Sequence, residues 1–200
     1  LDLLVEVGTE EIPARFIPRA LDDLAAAARA SLAARRLAHG EVRTFGTPRR
    51  LVLAVAGIVA HQPDLASEVT GPPKKAAFAP DGTLTKAGAG FAKGQGIDPK
   101  ELYVKQTPKG DYLAAIRREA GRPAAQILRE EVPGWILGLR FQKSMRWGDG
   151  ELRFVRPLHW VLALLGGEVL EFDLEGITSG NRSRGHRFLA PGEFEVRDLA

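Results

Sequence analysis

Apolar residues in this chain change their period several times, and each change marks an element. Residues 1–7 alternate loosely and are rich in leucine and valine, which predicts a strand closed by Gly8. Over residues 18–37 the positions Leu21, Leu24, Ala25, Ala28 and Leu32 follow the helical period instead. Asp22 and Asp23 fall in the first turn expected for that helix, Arg35 and Arg36 in its last, and Gly40 lies beyond, so the charges complement the helix dipole. The alanine run at 25–28 predicts close packing of this helix on a sheet. Residues 42–45 and 51–59 read as strands flanking GTPRR at 46–50, a hairpin-like turn that carries Arg49 and Arg50 at its tip.

A Pro-rich, basic stretch at 69–80 reads as a linker, with Asp81-Gly82 as a turn after it. Residues 85–93 predict a short helix capped by Thr85 and stopped by Gly94-Gln95-Gly96. Its glycines Gly88, Gly90 and Gly94 do not make a dinucleotide fingerprint, because the last spacing is one residue too long and no strand directly precedes them. Residues 102–106 and 112–117 predict a hairpin across 108–111. A helix opens at Pro123 with Ile127 and Leu128 inward, and Pro133-Gly134 is expected to interrupt it, leaving 135–141 as a second helix. Residues 160–165 and 169–174 read as two strands joined by Gly166-Gly167, the second with Leu170, Phe172 and Leu174 on its dry face. These elements predict an α+β fold, a largely antiparallel sheet with several helices, as one domain or as two subdomains at 1–70 and 71–200.

Composition narrows the class. At 200 residues and 44% hydrophobic the chain can bury a core. No continuous apolar run is long enough to span a bilayer, and the start lacks the basic region of a signal peptide, so no membrane partner is expected. With 0 cysteines there is neither a disulfide framework nor thiolate metal chemistry, which fits a cytoplasmic location. The formal charge of +3 is small, but Arg49, Arg50, Lys74, Lys75, Lys143, Arg146, Arg182, Arg184 and Arg187 all fall in predicted loops or at element ends. That distribution permits a basic face on a nearly neutral protein.

The densest chemistry lies in GITSGNRSRGHRF at 176–188, where Arg182, Arg184, His186 and Arg187 sit among glycines. No acid occurs between Gly176 and Gly192, so its charge is expected to be locally uncompensated. Glycine lets backbone approach a ligand closely and guanidinium matches phosphate, which points to an anion-binding loop with RNA as a candidate. A solvated Gly/Arg turn between strands reads equally well from the residues alone. Gly180 and Gly185 bracket the loop and are expected to hold it, through a positive φ if either adopts one. The 4 histidines show no metal-ligand spacing, and His159 between Leu158 and Trp160 reads as a partly buried hydrogen-bonding residue. Glu10 and Glu11 are adjacent and so point to opposite faces of an extended strand; capping a turn or pairing with an arginine of TPRR is the reading for at least one. No P-loop occurs, and Arg117-Arg118-Glu119 has only the outline of a synthetase ATP motif.

The same arginine stretch resembles the beta subunit of bacterial heterotetrameric glycyl-tRNA synthetase. So, in order, do LLVEVGTEEIP at 3–13, TPRRL at 47–51, KSMRWG at 143–148 and FVRPLHW at 154–160, while 70–78 and 134–142 depart from that pattern. The resemblance implies an N-terminal, noncatalytic portion of a longer subunit, in keeping with a start at Leu1 rather than methionine. It implies adenylate chemistry with ATP and magnesium at the alpha subunit, no cofactor in this portion, and glycine tRNA and the alpha subunit as partners, in an enzyme of two alpha and two beta subunits. Arg49, Arg50, Lys143, Arg146, Arg182, Arg184, His186 and Arg187 become candidates for RNA binding or the subunit interface, expected on one basic surface with Glu10 or Glu11 beneath. Phe188, Trp147 or Trp160 would stack on unpaired bases. Two other classes stay open: a pure assembly module, and an editing-type hydrolase joining Glu10 or Glu11 to Thr9 and His186.

Overall fold

The expected first strand, β1 (Leu3–Thr9), buries Leu3, Val5 and Val7 on one face and carries Leu4, Glu6 and Gly8 on the other, in a computed structural model that describes residues 1–147 and 151–199. A short 3₁₀ turn (Ala14–Phe16) leads into helix α1 (Ile17–Ala34), then the hairpin β2 (Val42–Thr47) and β3 (Arg50–Val55). Next come β4 (Leu65–Pro73), α2 (Lys74–Ala77), α3 (Lys86–Gln95), β5 (Tyr103–Thr107) and β6 (Gly110–Glu119). The last part holds α4 (Ala124–Leu137), β7 (Leu158–Leu165) and the short strands β8 (Glu168–Val169), β9 (Asp173–Leu174), β10 (Ile177–Thr178), β11 (Arg182–Arg184) and β12 (Glu193–Glu195).

Two compact units result, one of Leu1–Gln62 with Arg122–Ala200, the other Pro63–Gly121. The division expected between residues 70 and 71 falls inside β4. Its signal was the run of prolines and lysines after Val69, yet Pro73 ends a strand and Lys74 opens a helical turn, so the supposed linker is regular structure.

In the larger unit a five-stranded antiparallel sheet runs in the order β2-β3-β1-β7-β8. Register places Val5 between Leu53 and Ala163, so Leu51, Leu53, Val55, Val161, Ala163 and Leu165 extend the dry face of β1. Helix α1 covers that face with Ala20, Leu24, Ala25, Ala28 and Leu32, the small alanines allowing close approach, and α4 adds Ile127, Leu128, Val132, Trp135 and Ile136.

Helix α1 begins and ends earlier than the apolar period suggests. It starts at Ile17 and has no acid in its first turn, so Asp22 and Asp23 lie further along and do not complement the dipole. It stops because Arg36 adopts φ 54, the conformation that lets Arg36 N–H reach Ala33 O at 3.0 Å and Leu37 N–H reach Leu32 O at 2.9 Å. Leu37 is buried beside that stop, which supplies the apolar contact usual for such a cap.

Pro133 does not break its helix: α4 runs through it from Ala124 to Leu137, and no separate helix follows at 135–141. An interior proline costs about 3 kcal/mol. Burying Val132, Trp135 and Ile136, at about 1.5–3 kcal/mol for a large apolar side chain, offsets it. The Gly166-Gly167 hairpin forms as expected, although its second arm splits into β8 and β9, with Leu170, Phe172 and Leu174 buried.

The smaller unit is a three-stranded antiparallel sheet, β4-β6-β5, with α2 and α3. Thr85 caps α3 by accepting the Gly88 N–H at 3.3 Å, and Gly96 at φ 67 ends it, both as the sequence predicts. Among the described residues no helix is long and apolar enough to cross a membrane.

Candidate functional site

The second face of the larger sheet carries the polar side chains. Gly8 stands between Arg50 on β3 and Trp160 on β7, and Glu6, two residues back on β1, shares their face. Having no side chain, Gly8 leaves room for the Trp160 indole to lie against its backbone; a Cβ there would come within 2.0 Å of the ring. Trp160 then reaches Glu6, donating from Nε1 to Oε1 at 2.7 Å.

Glu6 is the hub of this face. It is 7% exposed and also accepts from Ser183 Oγ at 2.5 Å and from Arg50 Nη1 at 3.3 Å. Three donors, one of them the Arg50 guanidinium, make a buried carboxylate tolerable, since an unpaired one would cost several kcal/mol. Arg50 also donates to the Arg184 carbonyl. It belongs to β3 rather than to the turn tip, because the β2–β3 connection is only Pro48-Arg49. The sequence signal for Glu6 was a lone acid in an apolar strand; its register partners are Val52 and Leu162, and Arg50 and Trp160 reach it diagonally from opposite Gly8.

Gly180 joins the edge of β7 beside Leu162, and the chain beyond it, at Ser183 and Arg184, roofs this face. Gly180 N–H donates to Val161 O and Gly180 O accepts from Ala163 N–H, both at 3.0 Å, and Ser183 is buried over Glu6. Strand β11 pairs with β12 so that Arg182 faces Glu195 and Arg184 faces Glu193. The arginine loop is therefore not uncompensated. Arg184 Nη2 lies 3.0 Å from Glu193 and its guanidinium 5.3 Å from the Trp160 ring centre, while Arg182 sits 3.7 Å from Glu193 and 4.0 Å from Glu195. The acids lie just past the acid-free run and fold back beside it.

A cavity of about 520 Å³ opens beside this roof, lined by Thr47, Pro48, Arg49, Arg50, Trp160 and residues 184–188, with Glu11 at its wall. The segment after β1 fixes the turn on one side: Thr9 N–H donates to Arg49 O at 2.9 Å and Ile12 N–H to Pro48 O at 2.6 Å. Arg49 and Arg187 hold their carboxylates loosely, at 4.0 Å to Glu10 and 3.8 Å to Glu11. His159, hydrogen-bonded to Glu10 at 2.9 Å, holds that carboxyl below the usual carboxylate range, and the charges of Arg49 and Arg187 add to the effect. His186 Nδ1 accepts the N–H groups of Phe188 at 3.2 Å and Leu189 at 3.1 Å, shaping the loop tip. That tip leaves Phe188 79% and Leu189 85% exposed.

Arg49, Arg50, Arg184, His186 and Arg187 thus meet around one cavity. Arg182 lines a neighbouring one with Asn181, Arg184 and Glu193. Lys143 and Arg146 line neither; both are exposed, on either side of Met145, whose N–H pairs with Phe154 O at 2.8 Å. Gly148 of the same motif lies outside the described residues. Trp147 packs against the core, and Thr9, which the hydrolase reading needs, is fully buried and does not line the cavity. Neither Gly180 nor Gly185 has a positive φ; Gly176 does, at 89°. Gly185 is needed for another reason, since a Cβ would stand 2.1 Å from Ala190 O.

Comparison with known proteins follows the same outline. The family described as glycyl-tRNA synthetase beta subunit matches residues 3–200. The glycine–tRNA ligase beta subunit of Geobacter sulfurreducens is 50% identical over 199 residues, which is 100% of this chain and 29% of that protein. Those of Citrifermentans bemidjiense and Trichlorobacter lovleyi are 49% and 50% identical, again over 100% of this chain and 29% of theirs. The chain spans 29% of the length of these curated relatives.

Proposed function

The chain belongs to the glycyl-tRNA synthetase beta subunit family, and from that membership we propose that it serves tRNA glycylation by holding glycine tRNA rather than by performing chemistry. The observation that carries this reading is the convergence of Arg49, Arg187 and His186 with the exposed ring of Phe188 on one cavity. Phosphate contacts of this kind position an RNA without reading its sequence, and Phe188 stacks on an unpaired base.

The arginines divide by their partners. Arg50 and Arg184 are bound into the Glu6 and Glu193 contacts, so they hold the platform together. Arg49 and Arg187, with their long ion pairs, exchange carboxylate for phosphate at little cost. In the whole enzyme, ATP and magnesium act at the alpha subunit, in an assembly of two alpha and two beta subunits. Among the described residues no group of three or more His, Cys, Asp or Glu is placed to hold a metal ion.

A second reading rests on the exposed Phe188 and Leu189 beside Arg187, which suit an alpha-subunit surface as an apolar tip rimmed by charge. Titrating a glycine tRNA transcript with this chain at several salt concentrations separates the two. On the RNA reading, Arg49→Ala with Arg187→Ala lowers the slope of log affinity against log salt by about two. Unchanged tRNA binding together with lost capture of the alpha subunit by the same variant assigns the tip to assembly.

A further inference from the structure

Among the arginines that stand out in the sequence, Arg50, Arg182 and Arg184 are held by acids within the fold. A different set, which no motif marks, surrounds a cavity whose lining holds no acid. Arg15, Arg19 and Arg140 line a cavity of about 300 Å³ with Phe16, Phe141 and Gln142, and none of the lining residues is acidic. Among the described residues neither Arg15 nor Arg140 has a carboxylate partner; Arg19 has only Asp23 at 3.6 Å, an exposed pair of the kind that contributes little.

Three guanidinium groups around one small cavity repel one another, and the exposed Arg19–Asp23 pair and the Arg15–Phe16 contact offset that repulsion only in part. Arg15 and Arg19 also flank the start of α1, where the helix dipole disfavours cations. Stability therefore gives no account of the placement, and an anionic ligand does. The floor is rigid: Phe16 meets Phe141 edge-on at 6.5 Å, Phe141 meets the buried Phe154 at 5.0 Å, and Arg15 lies over the Phe16 ring at 4.8 Å. The walls are exposed side chains, Arg15, Arg19, Arg140 and Gln142, so a small free anion would stay mostly in water. A phosphate carried on a long polyanion gains from each further contact along its length.

We propose that Arg15, Arg19 and Arg140 form a second phosphate-binding site for the RNA backbone, with Phe16 and Phe141 as an apolar floor for the adjoining sugar or base. The proposal rests on the reading that this chain binds RNA, but it uses residues that the first cavity does not.

The test is fluorescence anisotropy of a labelled glycine tRNA transcript titrated with this chain over a series of chloride concentrations. For Arg15→Ala with Arg19→Ala and Arg140→Ala, affinity falls tenfold or more at low salt, and the salt slope drops by about two to three units. The triple lysine variant keeps the slope, because lysine neutralises phosphate equally well. Thermal melting does not fall appreciably, since all three side chains are exposed and the loss of the Arg19–Asp23 pair and the Arg15–Phe16 contact is set against the repulsion relieved. Wild-type protein that binds no RNA overturns the RNA reading as a whole. Wild-type binding with an alanine variant of unchanged slope and affinity overturns this site alone. Inorganic phosphate bound by the wild-type chain and lost in the alanine variant, with tRNA affinity and slope the same in both, identifies a site for small phosphates and overturns the RNA assignment.

Discussion

The indole of Trp160 occupies the space a side chain would fill at Gly8, its cross-strand neighbour, so that a Cβ on Gly8 would stand 2.0 Å from the ring. Gly8→Ala must displace the ring and with it the Trp160–Glu6 hydrogen bond. We expect a loss of about 2–4 kcal/mol, as for overpacking combined with a broken buried contact. Urea unfolding measures it. A double variant with Trp160→Ala should cost less than the sum of the single changes, because the clash and the ring disappear together.

Glu6 gathers Ser183, Trp160 and Arg50, and its removal leaves buried donors without an acceptor. Glu6→Leu should therefore cost about 3–5 kcal/mol, the range for breaking a buried charge pair from one side. Ser183→Ala removes one of the three donors and should cost about 1–3 kcal/mol. Denaturant midpoints order the two variants. A Glu6→Leu protein as stable as wild type would mean the face is held by the 179–184 backbone alone.

Gly180 and Gly185 look equivalent in the sequence and differ in the fold. Gly180 has open space where a Cβ would go, whereas Gly185 has Ala190 O at 2.1 Å. Gly180→Ala should change stability by no more than about 0.5 kcal/mol, the usual range for a surface substitution. Gly185→Ala forces residues 185–190 apart and should cost about 1–3 kcal/mol. Thermal melts compare the two directly, and amide exchange of the Gly185–Gly192 hydrogen bond reports whether the loop has opened.

Helices α1 and α4 are tied by Glu131, which accepts from Ser31 Oγ at 2.5 Å and from Arg35 Nε at 2.8 Å. The Ser31 hydrogen bond, and after it Arg35, holds the Glu131 carboxyl below the usual carboxylate range. A carboxyl whose folded-state pKa is depressed contributes stability above its unfolded pKa, about 4.3, and that contribution is lost as pH falls through the folded value. Glu131→Gln should cost about 1 kcal/mol at pH 7, and the difference from wild type should shrink toward zero below about pH 4. Unfolding curves across pH 3–7 check the sign. A gap that stays constant with pH would show that the contact acts without its charge.

The chain by itself determined what depends on neighbours in sequence. The alternation in residues 1–7, the period of α1, the Thr85 cap and Gly96 stop of α3, and the Gly166-Gly167 turn all form, because each is set by backbone preference and local burial. Its motifs also carried the family, which the match over residues 3–200 shows independently of the fold. Where a helix or strand ended was less legible: α1 closes on Arg36 in place of a glycine, and α4 passes through Pro133, since packing outweighed local propensity at both places.

Only the tertiary structure decided which charges are free. Arg182, Arg184 and Arg187 read as one cationic run, yet β12 brings Glu193 and Glu195 beside the first two and the segment after β1 brings Glu11 to the third. Glu6 became a hub because strand register sets it beside Arg50 and Trp160 and the roof sets Ser183 above it. Arg15, Arg19 and Arg140 came together from the start of α1 and the stretch after α4. The reason is geometric: opposite charges within about 4 Å neutralise one another however far apart they lie in the chain, and strand pairing, not sequence distance, sets those 4 Å.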